Sequence, residues 1–450
     1  MPTSGLQHHE AETPDVRHEL VAFTSICFFV CFLASIFFAS YFNKGTIQNV
    51  FSYVGADGPA GYANSVKPKE LGVHLFGDYL LPRWQSELNS PWFISDPSSG
   101  PVNNYLPFTM AVFWLFGRIA YWKSFILFMS IGIGTMLTAI WFSIQGTSRM
   151  KKLQFISAGV LVSGPFIALI DRGNIQILLT ALCCLSLSLW FSNRKTLGAI
   201  ALGFAVALKG YPILLLLLWI RERRWKDCII SLSTIFVVTI APLFFYSGGV
   251  FTNLSRILRN VRSNEELYAH QSLAYNNSLK GTLLSIESLN IPLLGTLARF
   301  CYDHALILTL GLVFIFCGIA LSKLTTTGEV ILICVALMTI CVDYVGAYAV
   351  SLYFLVFMIA DKNLRHLSSW KLRLIFFATA VALAPKYLPI RFWTQSIEST
   401  LPTYGSLLGG FCGLLILFVI SLNTFQRFSE RFSGPAAAEF LSPQMVSGNE

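Results

Sequence analysis

The chain has 450 residues, of which 54% are hydrophobic and only 12% charged, with a mean hydropathy of +0.62. Soluble globular domains carry about 25% charged residues, so this composition excludes an ordinary water-soluble globule. The formal net charge of +9 sits in short basic clusters between apolar runs, as membrane topology signals do, and this argues against a nucleic-acid-binding surface.

The N-terminal tail, residues 1–19, is polar and acidic. It does not read as a secretory signal, so the first apolar run is expected to remain as a helix. Apolar runs then recur almost to the end of the chain. Many approach the ~18–20 residues that cross a ~30 Å hydrocarbon core, and they are continuous with no period-two alternation, which selects helices over a barrel. The expected fold is therefore an all-α polytopic membrane protein with about twelve transmembrane helices. The expected spans lie near 20–42, 122–145, 153–170, 175–192, 196–209, 211–221, 228–247, 303–322, 328–342, 346–360, 372–387 and 403–422. Several are short, as tilted or shielded helices are.

Orientation follows from the basic residues. With the N-terminus cytoplasmic, the short inner loops hold Arg149, Lys151, Lys152, Arg194, Lys195, Arg221, Arg223, Arg224, Lys226, Lys323, Lys362, Arg365, Lys371 and Arg373. The short outer connections hold only Arg172, Lys209, Lys386 and Arg391. The positive-inside rule then leaves two long segments outside, 43–121 and 247–302, and returns the tail 423–450 to the cytoplasm. The stretch Leu106–Ala120 is apolar but short. If it spanned, every later loop would invert, so it is expected to be an interfacial or re-entrant helix.

Polar residues inside this apolar chain need reasons. Asp78 lies in HLFGDYLLPRWQSELNSPWF of the first outer segment. It caps a short helix, or it serves as a general base taking the proton of an incoming hydroxyl. Asp171, Arg172, Gly173 and Asn174 interrupt two apolar runs in FIALIDRGNIQILL. Ionisable groups there either pair with each other in a simple turn or line a wet cavity. Lys209 breaks GFAVALKGYPILLLLLWI, where Gly210 and Pro212 favour a turn. Both flanks are basic, so the stretch reads as a hairpin with Lys209 at its outer tip. That lysine either meets a lipid-linked phosphate or snorkels to ordinary headgroups. In the second outer segment, AHQSLAYNNSLKG carries His270, Tyr275, Asn276, Asn277 and Lys280, groups suited to sugar hydroxyls and equally to solvent. No metal-ligand spacing, phosphate-binding glycine loop or G-x-S-x-G elbow appears, so neither a metal nor a cofactor is expected.

Taken together, these segments resemble the polyprenyl-phosphate-sugar-dependent glycosyltransferases of the C superfamily, and family 87 in particular. The resemblance rests on GDYLLPRWQ with NNYLPF, on PFIALIDRGNIQILLTAL, on GAIALGFAVALKGYPILLLLLWIRERRW, and on YNNSLKG. It covers roughly residues 20–360, implying a catalytic transmembrane core over that range, with further transmembrane helices over 361–422. It implies Asp78 as the base, and Lys209 and Arg172 as holders of the donor phosphate. Asn104 and Tyr105 match the motif ending the first loop, and Asn276 and Asn277 the polar motif of the second. Asp171, Asn174 and His270 join them as candidate substrate contacts. The implied partners are a polyprenyl-phosphate sugar donor of the mannose type, a glycolipid or glycan acceptor, and the lipid bilayer of a bacterial plasma (inner) membrane, with the site facing outward. Asp78 has no acidic neighbour, unlike many superfamily members, which argues against metal-dependent oligosaccharyl transfer. A polysaccharide polymerase or ligase, a lipid-carrier flippase or transporter, and a non-catalytic envelope scaffold remain as rivals.

Overall fold

The structure, a computed structural model, describes residues 16–42, 76–93, 103–144, 148–271, 273, 276–359, 363–364, 366–385 and 402–433, and every regular element among them is helical. Helix α1 (Val16–Phe42) is followed by the short α2 (Gly77–Ser86) and α3 (Pro107–Gly117), then by α4 (Tyr121–Ser143). Next come α5 (Arg149–Phe155) with a π-turn over Ile156–Leu161, α6 (Gly164–Arg172), α7 (Gln176–Phe191) and α8 (Lys195–Leu208). A 3-10 stretch (Tyr211–Leu216) leads into α9 (Leu217–Arg221), and α10 (Trp225–Ile240) ends in another (Ala241–Phe244). The rest is α11 (Gly249–Gln271), α12 (Leu279–Ser288), α13 (Pro292–Asp303), α14 (Ala305–Leu321), α15 (Thr327–Ile340), a 3-10 turn (Ala347–Tyr353) into α16 (Phe354–Ile359), α17 (Ser369–Leu383) and α18 (Tyr404–Ser433).

Among the described residues, four stretches are long and apolar enough to cross a bilayer alone: His18–Phe37, Tyr121–Ser143, Trp225–Phe244 and Tyr404–Arg431. Two further pairs qualify only as bent units, Arg149–Leu161 with Gly164–Arg172 at 65° and Pro292–Asp303 with Ala305–Leu321 at 74°. The protein is thus a helical membrane protein; of the about twelve expected spans, these four to six are long enough to cross a bilayer, and several of the others are short. The runs near 175–192, 196–209, 211–221, 328–342 and 346–360 form helices of only 10–17 residues. At 1.5 Å per residue, a helix as short as α8 is only about 21 Å long. Burial compensates: Gly328 to Ile340 of α15 are all buried. Wrapped in protein, these helices need not match the bilayer thickness. Small residues permit that packing, as at Gly132 of α4, where a Cβ would stand 2.7 Å from the Ile177 side chain of α7.

The helix ends gather into two sets. One holds the basic clusters: Lys195 pairs with Glu222, Arg221 donates to the Thr325 carbonyl, Arg427 donates to the Leu324 carbonyl, and Arg373 meets Glu19 at 3.3 Å. Glu329 anchors this end from inside, accepting from Arg427 at 3.0 Å, from Asn423 at 2.6 Å and from the Thr326 backbone N–H at 2.7 Å. The other set joins α2, the start of α4, the α6–α7 turn, the end of α8 and the start of α12. There Phe76 N–H donates to the Asp171 carbonyl at 2.8 Å, Thr109 Oγ1 to the Leu208 carbonyl at 2.7 Å, and Thr282 Oγ1 to the Ser406 carbonyl at 2.9 Å.

Candidate active site

The α6–α7 junction is built by its own short sequence. Ser163 caps α6 through the Phe166 N–H, with Pro165 in the first turn. The helix ends at Gly173, whose φ of +63° puts it in the left-handed region and whose N–H donates to the Leu169 carbonyl at 3.0 Å. A Cβ at Gly173 would lie 2.9 Å from the Phe125 ring and 3.0 Å from the Tyr79 Cβ, so glycine is required twice over. Asn174 Oδ1 then accepts the Gln176 N–H at 2.9 Å and starts α7.

Helix α2 delivers Asp78 to this turn. Phe76, at φ +60°, precedes the helix and ties its backbone to Asp171. Tyr79, fully buried, donates to or accepts from Ser124 at 2.6 Å and sits among Phe113, Phe125 and Phe128. Arg83 Nη2 donates to the Gly117 and Ile119 carbonyls at 3.0 and 3.1 Å, satisfying the C-terminal end of α3. With α2 fixed on both sides, the Asp78 carboxylate receives Arg172 Nη2 on Oδ1 at 2.8 Å and Asn174 Nδ2 on Oδ2 at 2.7 Å. Its side chain is 17% exposed and that of Arg172 23%. A carboxylate has lone pairs beyond these two bonds, so the group is oriented without being saturated.

Beside this clamp lies a cavity of about 380 Å³, lined by Asn104, Tyr105, Asn174, Lys209, Tyr211, Tyr344 and Tyr348 together with apolar side chains. Asp78 reaches it through Asn174. Lys209 follows α8 in extended conformation, at the C-terminal end of that helix. Its ammonium stands 5.2 Å from the centre of the Tyr348 ring. Burial pulls its pKa down, the Asp78 carboxylate opposes the fall, and the result is about 8. Tyr211 of the same turn donates to Gln176 Oε1 at 2.5 Å, joining the Lys209 turn to the Asn174 turn.

The expected site residues thus divide. Asp78, Arg172 and Asn174 form one hydrogen-bonded group, and Lys209, Asn104 and Tyr105 share the neighbouring cavity. Asp171 contributes its backbone carbonyl to Phe76. The polar turn is not closed on itself, since Arg172 reaches a carboxylate 94 positions away. Asn276 and Asn277 are buried, at 0% and 2% exposure, and serve the backbone of the following helix pair. Asn276 Nδ2 donates to the Asp343 carbonyl at 3.0 Å while its Oδ1 accepts from Val345 at 3.1 Å, and the Asn277 N–H donates to the Val345 carbonyl at 2.8 Å. Lys280 pairs with Asp343. His270 belongs to α11, but its side chain lies outside the described residues, as does Tyr275. Sequence reasoning missed Tyr344, Tyr348 and Gln176. The break Asp343-Tyr-Val-Gly-Ala-Tyr348 between two apolar runs resembles the Asp171–Asn174 break, and that shared pattern was the available signal.

The model of glycosyltransferase family 87 matches residues 104–342, just over half of the chain. That range contains Arg172, Asn174 and Lys209 and begins after Asp78. No curated protein matches the chain.

Proposed function

This chain belongs to glycosyltransferase family 87 and is a membrane glycosyltransferase; from that premise we propose that it moves a sugar from a polyprenyl-phosphate donor to an envelope glycolipid or glycan, with inversion, at the outer face of a bacterial plasma membrane. The observation that carries this reading is the carboxylate of Asp78, held by Arg172 and Asn174 beside a cavity that also presents Lys209. An oriented carboxylate stands beside a cavity that holds a cation suited to a phosphate, the pair that in-line transfer from a phosphate leaving group requires.

In the reaction, the acceptor oxygen forms a bond to the anomeric carbon as the bond from that carbon to the phosphate oxygen breaks. The acceptor's proton passes to Asp78, and the electron pair of the broken bond leaves on polyprenyl phosphate. Lys209 neutralises the charge growing there. Arg172 holds Asp78 and, as the matching family position, shares the second role. A single displacement of this kind inverts the anomeric centre. Asn104, Tyr105 and Asn174 contact the sugars. A donor with a polyprenyl tail requires a site inside the membrane boundary, and a mannose-type sugar is the donor group carried over from the resemblance.

The outward orientation is supported by the two sets of helix ends: the basic clusters lie at one, the Asp78 clamp at the other. With basic loops inside, the cavity opens outside. The same segregation favours a transferase over a transporter, whose polar groups gather at the bilayer midplane on broken helices. The test is transfer by purified protein in proteoliposomes from labelled polyprenyl-phosphate mannose and arabinose, against nucleotide-linked sugars. Transfer from a lipid-linked donor alone, with product of the opposite anomeric configuration, supports the reading. Transfer from the nucleotide sugar, or retention, overturns it.

A further inference from the structure

The Asn276–Ser278 part of the second outer segment and the Tyr348 ring form one continuous support ending at Lys209. Asn276, Asn277 and Ser278 together hold the backbone of residues 343–345: Ser278 Oγ donates to the Asp343 carbonyl at 3.1 Å, and Asn277 Nδ2 donates to the Val345 carbonyl at 3.2 Å. Gly346 follows, and a Cβ there would stand 2.8 Å from Cζ of Tyr348. The glycine thus lets the Tyr348 ring lie close to the backbone that follows the held residues. On that ring's face rests the Lys209 ammonium, 5.2 Å from its centre. Both residues are half-buried and both line the 380 Å³ cavity.

We propose that Tyr348 is a positioning residue for Lys209: its ring face holds the lysine ammonium at the cavity wall, ready for the phosphate of the lipid donor, and the Asn276–Ser278 motif holds the ring. This rests on the reading of Lys209 as the phosphate-binding cation. A lysine side chain has four rotatable bonds, and placing it costs entropy at each binding event. A ring that attracts the ammonium removes part of that cost and stabilises the charged form in a partly desolvated place. The other titratable groups facing Lys209 are Asp78 from α2 and the cavity tyrosines Tyr105 ahead of α3, Tyr211 in its own turn, and Tyr344, with Arg172 acting on Tyr348. Of these, the Asp78 carboxylate acts in the same direction as the ring, favouring the protonated lysine.

The test uses the full chain in nanodiscs and, as probe, a polyprenyl monophosphate, the product common to every donor sugar. Binding is measured from pH 6 to 10 for wild type, Lys209→Met, Tyr348→Leu and Tyr348→Phe, each checked for a wild-type melting profile. Wild type should bind with an affinity that declines as pH rises through about 8. Lys209→Met should lose about tenfold and the pH dependence with it. Tyr348→Leu should weaken binding about fivefold and move the decline to lower pH, while Tyr348→Phe, which keeps the ring face, stays near wild type. If Lys209→Met binds like wild type, the phosphate role of Lys209 is wrong. If Lys209→Met is impaired and Tyr348→Leu is not, the phosphate role stands and the positioning role of Tyr348 fails. If Tyr348→Phe is as weak as Tyr348→Leu, the hydroxyl and not the ring face acts, and the inference is overturned. Should Tyr348→Leu not fold, Tyr348→Met, which fills the space without a ring face, takes its place in the comparison with Tyr348→Phe.

Discussion

Asn174 bears two loads through opposite ends of one amide: Nδ2 donates to Asp78 Oδ2 at 2.7 Å, and Oδ1 accepts the Gln176 N–H at 2.9 Å. Replacing it with serine separates them. The Ser hydroxyl still accepts a backbone N–H two residues on, as in an ST turn, but is too short to reach the carboxylate. The lost hydrogen bond involves an ionised acceptor, a class worth about 1.5–3 kcal/mol. If the bond orients the base in the transition state, that converts to a loss of about 10- to 100-fold in kcat. Asn174→Ala loses both bonds and should in addition melt lower, by about 1 kcal/mol for the lost cap. The assay is sugar transfer at saturating donor, with thermal melting of the same preparations. Asn174 is buried, so Asn174→Ser is expected to melt lower than wild type by about 1.5–3 kcal/mol while its folded fraction turns over far more slowly. A serine variant within twofold of wild-type kcat would refute the claim that Asp78 needs this partner.

Three further outcomes follow from single contacts. Gly173→Ala forces a Cβ against Phe125 and Tyr79 at a left-handed position, so it should cost about 2 kcal/mol or more of stability and reduce transfer, read by melting and activity together. The Lys209 amine is charged below its pKa and neutral above, so with that pKa near 8 kcat/KM for the donor should be level at lower pH and decline as pH rises through about 8. Lys209→Arg, charged throughout, should abolish the decline. Glu329→Ala strips the partner of Arg427 and Asn423 at the far end of the bundle; melting should drop by about 3 kcal/mol while kcat of the folded fraction is unchanged.

The sequence made the polar interruptions legible, because an acid, a base or an amide between apolar runs is conspicuous by composition alone. Asp78, Arg172, Asn174 and Lys209 were found that way, and three of them form the hydrogen-bonded clamp. Their pairing was not legible, since Asp78 and Arg172 are 94 positions apart and adjacent Asp171 offered a nearer partner. The amides of Asn276 and Asn277 read as suited to sugar or to solvent, and they hold the Asp343–Val345 backbone. Hydropathy also placed the short spans without saying which are shielded by protein. It registers apolar length, but α8 and α15 are apolar because protein surrounds them. Tyr348 escaped because the Asp343–Tyr348 break, visible in the sequence, does not say that a lysine lies over the ring.

The most direct test of the central claim is the rate of sugar transfer from a labelled polyprenyl-phosphate donor pool in membranes carrying equal amounts of wild type or Asp78→Asn. Asparagine preserves the shape of the side chain and its contact with Arg172 in part, but cannot take a proton. The account predicts that wild type transfers sugar and that Asp78→Asn, equally folded, loses at least ~10²-fold. Equal rates for the two would contradict it, and the base would have to be sought elsewhere in the cavity.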